Sequence, residues 1–211
     1  IGALVSGNNM CGRFAFYSPP GATASLFGIS STVYFKPRYN IAPTQNVDAI
    51  KVNDNNETEL VTFRWGLVPS WAKESSVGNR MINARSETVA EKPSFRDAYR
   101  RRRCFIFADG YYEWKSEGGV KIPYFISAAD SALFGFAGLW ENWTNARSGE
   151  GLQTTTIVTA PANTFLSQLH HRMPVVVRPE NANRWLLGDR LALEEMITDP
   201  PELCAWPVDP R

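Results

Sequence analysis

The sequence of 211 residues is poor in the side chains that build disulfide frameworks and metal sites. Its three cysteines, Cys11, Cys104 and Cys204, form no close pair, which argues against a secreted disulfide framework and favours a reducing compartment. The only two histidines are adjacent, and no Cys-x-x-Cys or His-x-x-x-His spacing occurs. The sequence therefore predicts no structural zinc site, and we expect neither a metal nor another cofactor.

Net charge and long apolar runs are also scarce. The 22 basic and 21 acidic residues leave a formal net charge of +1, so any contact with nucleic acid has to come from a local groove. Membrane-spanning helices need about 18 or more consecutive apolar residues, and no such run is present. These features predict a cytoplasmic protein without a membrane partner, and we expect a monomer.

The hydrophobic content is sufficient for a substantial core. Hydrophobic residues make up 44% of the chain and aromatic residues 12%, which fits one domain. The segment 1–9 lacks the basic region of a signal peptide, and we interpret it as a leader or a cloning remnant. The segment 10–211 is then predicted to form a single domain.

Strand patterns outnumber helix patterns along the chain. We predict an α+β fold, a β-rich single domain with a central barrel-like antiparallel sheet and peripheral helices. Residues 38–43 are expected to form a loop, and residues 86–91 a helix. The run 104–108 is predicted to return through an Asp109-Gly110 turn into a strand over 111–115.

Cys11 directly follows Met10, and removal of everything up to Met10 would make it the N-terminal residue. Such a cysteine carries an α-amine, which titrates at about 7.7–8.0, beside an intrinsically reactive thiol. This pair suits an aldehyde, because the amine forms a Schiff base and the thiol then closes a thiazolidine ring. The alternative is a small buried residue at the start of a strand.

Two further segments combine polar side chains with strand spacing. Asn83 and Arg85 share a strand face by the period of two, and they either project into a pocket or lie on a solvated edge strand. Glu113 stands between aromatic neighbours, which would desolvate its carboxylate and tune it as a general acid or base. The alternative for Glu113 is a position on the surface.

The histidine pair and two tryptophans complete the set of candidates. His170, beside Arg172, is either a catalytic imidazole or a structural one. Trp65 and Trp71 flank a Gly/Pro loop; we assign Trp65 to the core and Trp71 to an exposed platform for unpaired bases. In the arginine run 100–103, at least three side chains are expected to belong to a solvated helix end.

Six short segments follow one another in the order seen in one protein family. They are MCGRF at 10–14, RYNIAP at 38–43, WGLVPSW at 65–71, INARSE at 82–87, ADGYYEW at 108–114 and HHRMP at 170–174. With these segments the chain resembles the SOS-response-associated peptidase (SRAP) family from Met10 to about Val208. Members of that family crosslink to abasic sites in single-stranded DNA.

The resemblance implies a catalytic role for four residues. Cys11, once N-terminal, would attack the ring-opened aldehyde of an abasic deoxyribose and form a thiazolidine. Asn83 would orient the cysteine amine and the sugar, and Glu113 would move protons during Schiff-base formation and ring closure. His170 would assist the opening of the sugar and proton transfer.

The resemblance also implies a DNA-binding surface and a cellular role. Phosphates near the lesion would be held by Arg13, Asn40, Arg85 and Arg172. Trp71 and Pro43 would shape the groove for the single strand. The partner would be single-stranded DNA with abasic sites, with the protein nucleoid-associated when bound to damage. The family is also credited with an autoproteolytic, hydrolase-type activity that exposes the cysteine, and abasic-site lyase chemistry fits the same site.

Two departures from the family pattern leave alternatives open. The residues before Cys11 block its amine, and His171 stands where an acidic partner for His170 is expected. One alternative is a thiol peptidase with Cys11 as nucleophile, His170 as base and Asn83 as orienting residue. The other is a non-covalent module for single-stranded DNA that uses Trp71 and the arginines.

Overall fold

A computed structural model describes residues 11–29 and 35–209 of the chain. The segment 1–9 and Met10 lie outside these residues, so the interpretation of that segment is not addressed by the structure.

The described residues form strands, four α-helices and short 3-10 helices. The strands, in chain order, are β1 (Arg13–Phe16), β2 (Arg38–Ile41), β3 (Asn46–Val52), β4 (Thr58–Trp65), β5 (Asn83–Arg85), β6 (Arg103–Ala108), β7 (Gly110–Glu117), β8 (Val120–Ala128), β9 (Phe134–Thr144), β10 (Gly151–Pro161), β11 (Arg172–Pro174), β12 (Val176–Val177) and β13 (Leu203–Pro207). The α-helices are α1 (Pro20–Phe27), α2 (Arg96–Arg101), α3 (Ala182–Leu187) and α4 (Leu191–Thr198), and the 3-10 helices are Ser75–Arg80, Leu166–Gln168 and Pro179–Asn181.

Five strands close into a barrel. Hydrogen-bonded neighbours follow the order β10, β4, β3, β6, β9, and β9 pairs with β10 to close the barrel. The predicted barrel-like sheet is therefore confirmed. Its pairings are antiparallel except for β4 with β10, which run parallel with Arg64 opposite Thr154. A short strand, β5, also lies parallel to β10.

A second sheet packs beside the barrel. It has the order β13-β8-β7-β1-β2, and all of its pairings are antiparallel. The two sheets meet through aromatic side chains, since the Phe14 ring of β1 lies 5.2 Å from Trp65 of β4 and 5.4 Å from Phe136 of β9. Trp65 is fully buried, as predicted. Edge-on contacts of this kind suit aromatic rings in a close-packed core.

The predicted hairpin at Asp109-Gly110 is wrong. The chain crosses there from β6 of the barrel to β7 of the second sheet. The Asp109 carboxylate accepts hydrogen bonds from the backbone N–H groups of Tyr17 and Ser18, at 2.5 and 2.7 Å, and Asp109 N donates to Ala15 O. These bonds fix the crossing to the end of β1, so the local turn signal leads into a different sheet.

Two other local predictions are also wrong. Residues 38–41 form strand β2, because they pair antiparallel with β1, with Ile41 opposite Phe14. Residues 86–91 form turns instead of a helix, and Ser86 N donates to Thr159 O of β10. In the arginine run, Arg103 is buried and donates to the carbonyls of Trp185, Gly188 and Asp189.

Candidate functional site

Cys11 and Glu113 lie in direct contact at the start of β1. The backbone N of Cys11 donates to Oε1 of Glu113 over 2.7 Å, and both residues are buried. The register that pairs Arg13 with Tyr112 brings β7 alongside the entry to β1. Glu113 shares the inner face of β7 with the buried Tyr111, by the two-residue period of a strand.

Burial governs the proton affinities of this pair. It raises the pKa of Glu113 to about 7, against the opposing effect of hydrogen bonds from the backbone N–H groups of Cys11 and Trp114. The carboxyl is therefore divided between its two protonation states near neutral pH. Burial, and then the nearby Glu113 carboxylate, raise the pKa of the Cys11 thiol well above its usual value.

The Cys11 side chain is fully enclosed, with 0% exposure. In this structure Cys11 is therefore the small buried residue that the sequence analysis gave as the alternative. Its nitrogen belongs to the peptide bond with Met10 and is an amide. Its backbone φ is +42°, which is uncommon for a residue with a side chain and costs about 1–2 kcal/mol. The strained backbone therefore lies at the cysteine itself.

Strand β10 organises the second group of candidate residues. Asn83 pairs with Ile157 and Arg85 with Thr159 on one side of β10, while Pro174 of β11 pairs with Thr159 on the other. Asn83 is half-buried and Arg85 is exposed. Asn83 and Arg85 therefore lie, as the two-residue spacing predicts, on one short strand that is fixed to the barrel.

Arg172 and Glu87 form an ion pair across the end of β10. Both terminal nitrogens of the Arg172 guanidinium contact the Glu87 carboxylate, and Nη2 also donates to Thr159 O over 2.8 Å. Hydrogen bonding by Arg172 lowers the pKa of Glu87 to about 2. Arg172 is itself buried, so in this structure its charge is matched by Glu87, and its role as a phosphate ligand stays a prediction.

His170 is held by the backbone of the residues that follow it. Its Nδ1 lies 3.2 Å from N and 3.3 Å from O of Arg172. Burial lowers the pKa of His170 against the opposing effect of the hydrogen bond with the Arg172 backbone, and the charges of His171 and Arg172 lower it further. The His171 ring, at the position where an acidic residue was expected, lies 4.3 Å from that of His170. The surroundings favour a neutral imidazole, which is the form that accepts a proton.

Trp65 connects the two groups of residues. Its ring packs on Phe14 of the cysteine strand, and its Nε1 donates to Ile82 O over 2.9 Å. Ile82 directly precedes Asn83. A single buried indole therefore fixes strand β5 relative to strand β1, and the site lies where the barrel meets the second sheet.

The predicted DNA-binding residues lie on anchored strands and loops. Arg13 Nη1 donates to Asn40 Oδ1 over 2.8 Å, which joins two of them on adjacent strands. Pro43 lies in a turn whose next residue, Thr44, donates to Trp65 O. Trp71 is 63% exposed, as expected, and its loop is held by Trp143 Nε1, which donates to Ala72 O.

A close approach of two glycines fixes the base of the Trp71 loop. Gly66 has φ +124°, and a Cβ atom there would lie 2.5 Å from Gly78 O. Since only glycine fits this backbone, the segment can turn sharply after Trp65. The exposed indole thus extends from a rigid base.

Within residues 11–29 and 35–209, no group of three or more His, Cys, Asp or Glu side chains is placed to hold a metal ion. None of the helices in these two ranges combines the length and apolar character needed to cross a membrane.

The class of protein follows from comparisons with known proteins. The family model described as "SOS response associated peptidase (SRAP)" matches residues 10–211. Abasic site processing protein YoaM of Bacillus subtilis is 44% identical over 181 residues, covering 84% of this chain and 79% of that protein. Abasic site processing protein HMCES of Gallus gallus is 34% identical over 182 residues, covering 72% and 54%. The chain belongs to the SRAP family.

Solved structures share the fold of this chain. A protein from Bacteroides thetaiotaomicron superposes with a TM-score of 0.84 at 26% identity, covering 95% of this chain and 93% of that one. A phage-related protein from Bordetella bronchiseptica gives a TM-score of 0.74 at 28% identity and covers 94% of both chains.

Glu87 was not singled out from the sequence, although it lies four residues after Asn83. We expect Glu87→Gln to lower the free energy of unfolding at pH 7 by about 1 kcal/mol, because solvent screens this half-exposed carboxylate. The folded-state pKa is depressed, so the stabilisation is complete above the unfolded value near 4.5 and is lost as pH falls towards 2. Urea unfolding of both proteins between pH 2 and 7 measures the difference.

The matched control is Glu59→Gln, which removes an equally exposed carboxylate whose contact with Lys51 is longer, at 3.5 Å. It should change stability little at any pH. A Glu87→Gln effect that is equally large at pH 2 and pH 7 would show that the ion pair is not its source.

Proposed function

We propose that this protein captures abasic sites in single-stranded DNA by forming a thiazolidine between Cys11 and the sugar aldehyde, after the bond between Met10 and Cys11 has been cut. The contact of Cys11 N with Glu113 Oε1, at 2.7 Å, carries the proposal. It places a carboxyl with a pKa of about 7 on the nitrogen that has to react. The names of the relatives, abasic site processing proteins, support the substrate class.

The reaction joins one amine, one thiol and one aldehyde with loss of one water. The freed amine of Cys11 adds to C1′ of the ring-opened sugar and gives a carbinolamine, whose hydroxyl leaves as water to form a Schiff base. The thiol then adds its sulfur to the same carbon while its proton passes to nitrogen. The product is a five-membered ring that contains the sulfur, both cysteine carbons, the nitrogen and C1′.

Glu113 supplies the proton transfers in this sequence. As a carboxylate it accepts a proton from the attacking nitrogen, and as an acid it returns that proton to the departing hydroxyl. A group divided between both forms near pH 7 suits both steps. Because the thiol is raised in pKa by burial, it stays protonated until the Schiff base has formed.

The remaining residues prepare the sugar and hold the strand. The abasic sugar is mostly a closed hemiacetal, so a base has to remove its hydroxyl proton, and neutral His170 is suited to this. Asn83 orients the amine and the sugar. The phosphates next to the lesion are bound by Arg13, Asn40 and Arg85, and by Arg172, which Glu87 aligns. The groove for the strand is bordered by Trp71 and Pro43.

The same residues suit the release of the cysteine. The thiol of Cys11 attacks the Met10 carbonyl, the nitrogen leaves as an amine that takes the proton held by Glu113, and water hydrolyses the thioester. The backbone at Cys11, with φ +42°, favours any step that releases the preceding bond. A Schiff base on the sugar also permits elimination of the neighbouring phosphate, which is lyase chemistry.

We expect crosslinking to require the free amine. Protein that begins at Cys11 should give a denaturant-resistant adduct with a single strand that holds one abasic site. The same protein acetylated at its α-amine should give none, although thiol titration after unfolding finds its sulfur intact. Denaturing electrophoresis and intact mass measurement detect the adduct in both reactions.

The control is an undamaged strand of the same sequence, which shows whether the adduct requires the abasic site. If the acetylated protein crosslinks as fast as the free one, or if the undamaged strand reacts equally, the proposed chemistry is wrong.

A further inference from the structure

Two exposed tyrosines lie stacked next to the proposed DNA site. Tyr39 is 63% exposed and Tyr17 is 38% exposed. Their ring centroids are 5.3 Å apart and their planes differ by 19°, so the rings are stacked and each turns one face away from the other. We call these two side chains the tyrosine pair. Aromatic rings of this size usually lie in the core, and an exposed pair marks a surface that takes a partner.

The backbone on both sides of the tyrosine pair is fixed. The Tyr112 hydroxyl donates to Tyr39 O over 2.8 Å, which braces the edge strand β2 against β7. On the other side, Tyr17 N donates to the Asp109 carboxylate over 2.5 Å. The two rings are therefore presented by a rigid frame, and little freedom has to be lost when a flat ligand stacks on them.

The tyrosine pair is continuous with the residues proposed to hold phosphate. Tyr39 directly precedes Asn40, whose Oδ1 accepts from Arg13, and Arg13 is also the cross-strand partner of Tyr112. Arg13 itself lies two residues after Cys11. A strand whose lesion lies at Cys11 and whose phosphate lies at Arg13 thus has its next nucleotide within reach of the rings.

We propose that the tyrosine pair is a stacking subsite for an unpaired base of a nucleotide that flanks the abasic site. This inference rests on the proposed function and adds a place for the strand outside the reacting sugar. A base in a single strand has a free face, whereas a base within a duplex is covered on both faces by its neighbours. Stacking on aromatic rings accepts any base, so the subsite favours single strands without selecting their sequence.

The test uses strands with a tetrahydrofuran abasic analogue, which has no aldehyde and reports binding alone. One strand carries five nucleotides on each side of the analogue, and two others are shortened to one nucleotide on the 5′ or the 3′ side. Fluorescence anisotropy gives the Kd of the protein that begins at Cys11. We expect Tyr39→Ala to weaken binding of the long strand by about tenfold, the usual effect of losing one stacked base.

Shortening the DNA strand on the side that reaches the tyrosine pair should weaken its binding to wild type by a similar factor. Wild type and Tyr39→Ala should then bind this short strand with equal Kd. Tyr39→Phe keeps the ring and should bind as wild type does, because the bond from Tyr112 goes to the backbone. Trp206→Ala removes another exposed aromatic ring at the opposite edge of the same sheet and should leave Kd unchanged. Thermal unfolding of each variant verifies that it is folded.

Equal affinity of Tyr39→Ala and wild type for the long strand would overturn the stacking subsite. So would a loss that is the same for all three strands, or an equal loss in Trp206→Ala. A strand with a true abasic aldehyde is run in parallel with wild type. Absence of a covalent adduct there refutes the proposed function, whereas an adduct together with unchanged Tyr39→Ala binding refutes only the subsite.

Discussion

Cys11→Ala is expected to abolish the covalent adduct with abasic single-stranded DNA while leaving non-covalent affinity within about twofold of wild type. The variant is prepared as protein that begins at position 11, so alanine keeps the N-terminal amine but has no sulfur; a Schiff base can form, and no ring can close. Because a Schiff base hydrolyses, no denaturant-resistant band should remain. The residue is small and buried, and its loss should cost about 1 kcal/mol of stability.

Borohydride reduction separates the two steps in this variant. Reduction during the incubation should trap the Schiff base of Cys11→Ala as a stable amine, and an adduct should then appear. If a resistant adduct forms without borohydride, another residue is the nucleophile. If borohydride traps nothing while wild type crosslinks, the amine does not react first.

Glu113→Gln is expected to slow adduct formation by about 10²- to 10⁴-fold, the usual contribution of a general acid–base group. In wild type the rate should rise with pH as the carboxyl, whose pKa burial raises, and the α-amine, which titrates at about 7.7–8.0, lose their protons; the variant should keep only the rise due to the amine. Single-turnover rates between pH 5 and 9 measure both effects. Non-covalent affinity for the tetrahydrofuran strand should be unchanged.

The same substitution should make the fold more stable. The folded-state pKa of Glu113 lies above the unfolded value near 4.5, so its contribution is complete below pH 4.5 and is lost as pH rises through 7. A neutral amide avoids this loss, and we expect a gain of about 3 kcal/mol above pH 7. Urea unfolding at pH 4 and pH 8 measures the gain.

Glu141→Gln is the matched control for a buried carboxylate. Glu141 is buried on β9 of the barrel and is paired with Arg102. Its replacement should destabilise the fold and leave the rate of adduct formation unchanged. A rate loss in Glu141→Gln equal to that in Glu113→Gln would mean that general destabilisation, and not proton transfer, explains the effect.

The sequence predicted those features that depend on a side chain and its immediate neighbours. Tryptophan on a strand with apolar neighbours predicts burial at Trp65, and a Gly/Pro loop predicts exposure at Trp71. Glu113 was expected to be desolvated, and its burial raises its pKa as that expectation requires. The excess of strand patterns over helix patterns, with short connections, predicted the β-rich α+β class.

Contacts between distant segments could not be read from the sequence. The Asp109-Gly110 turn looks like a hairpin locally, and only its bonds to Tyr17 and Ser18 direct the chain into the other sheet. The pairing of Glu87 with Arg172 spans 85 positions of the chain. Local periodicity carries no information on such partners, and the parallel register of β4 with β10 is hidden for the same reason.

The bond between Cys11 N and Glu113 exists while that nitrogen is still an amide. A freshly cut chain would therefore not have to search for its proton acceptor. The nitrogen and the carboxyl are brought together when the sheet forms, and severing one covalent bond leaves the new terminus already aligned. The protein should therefore be able to react as soon as the bond before Cys11 is cut.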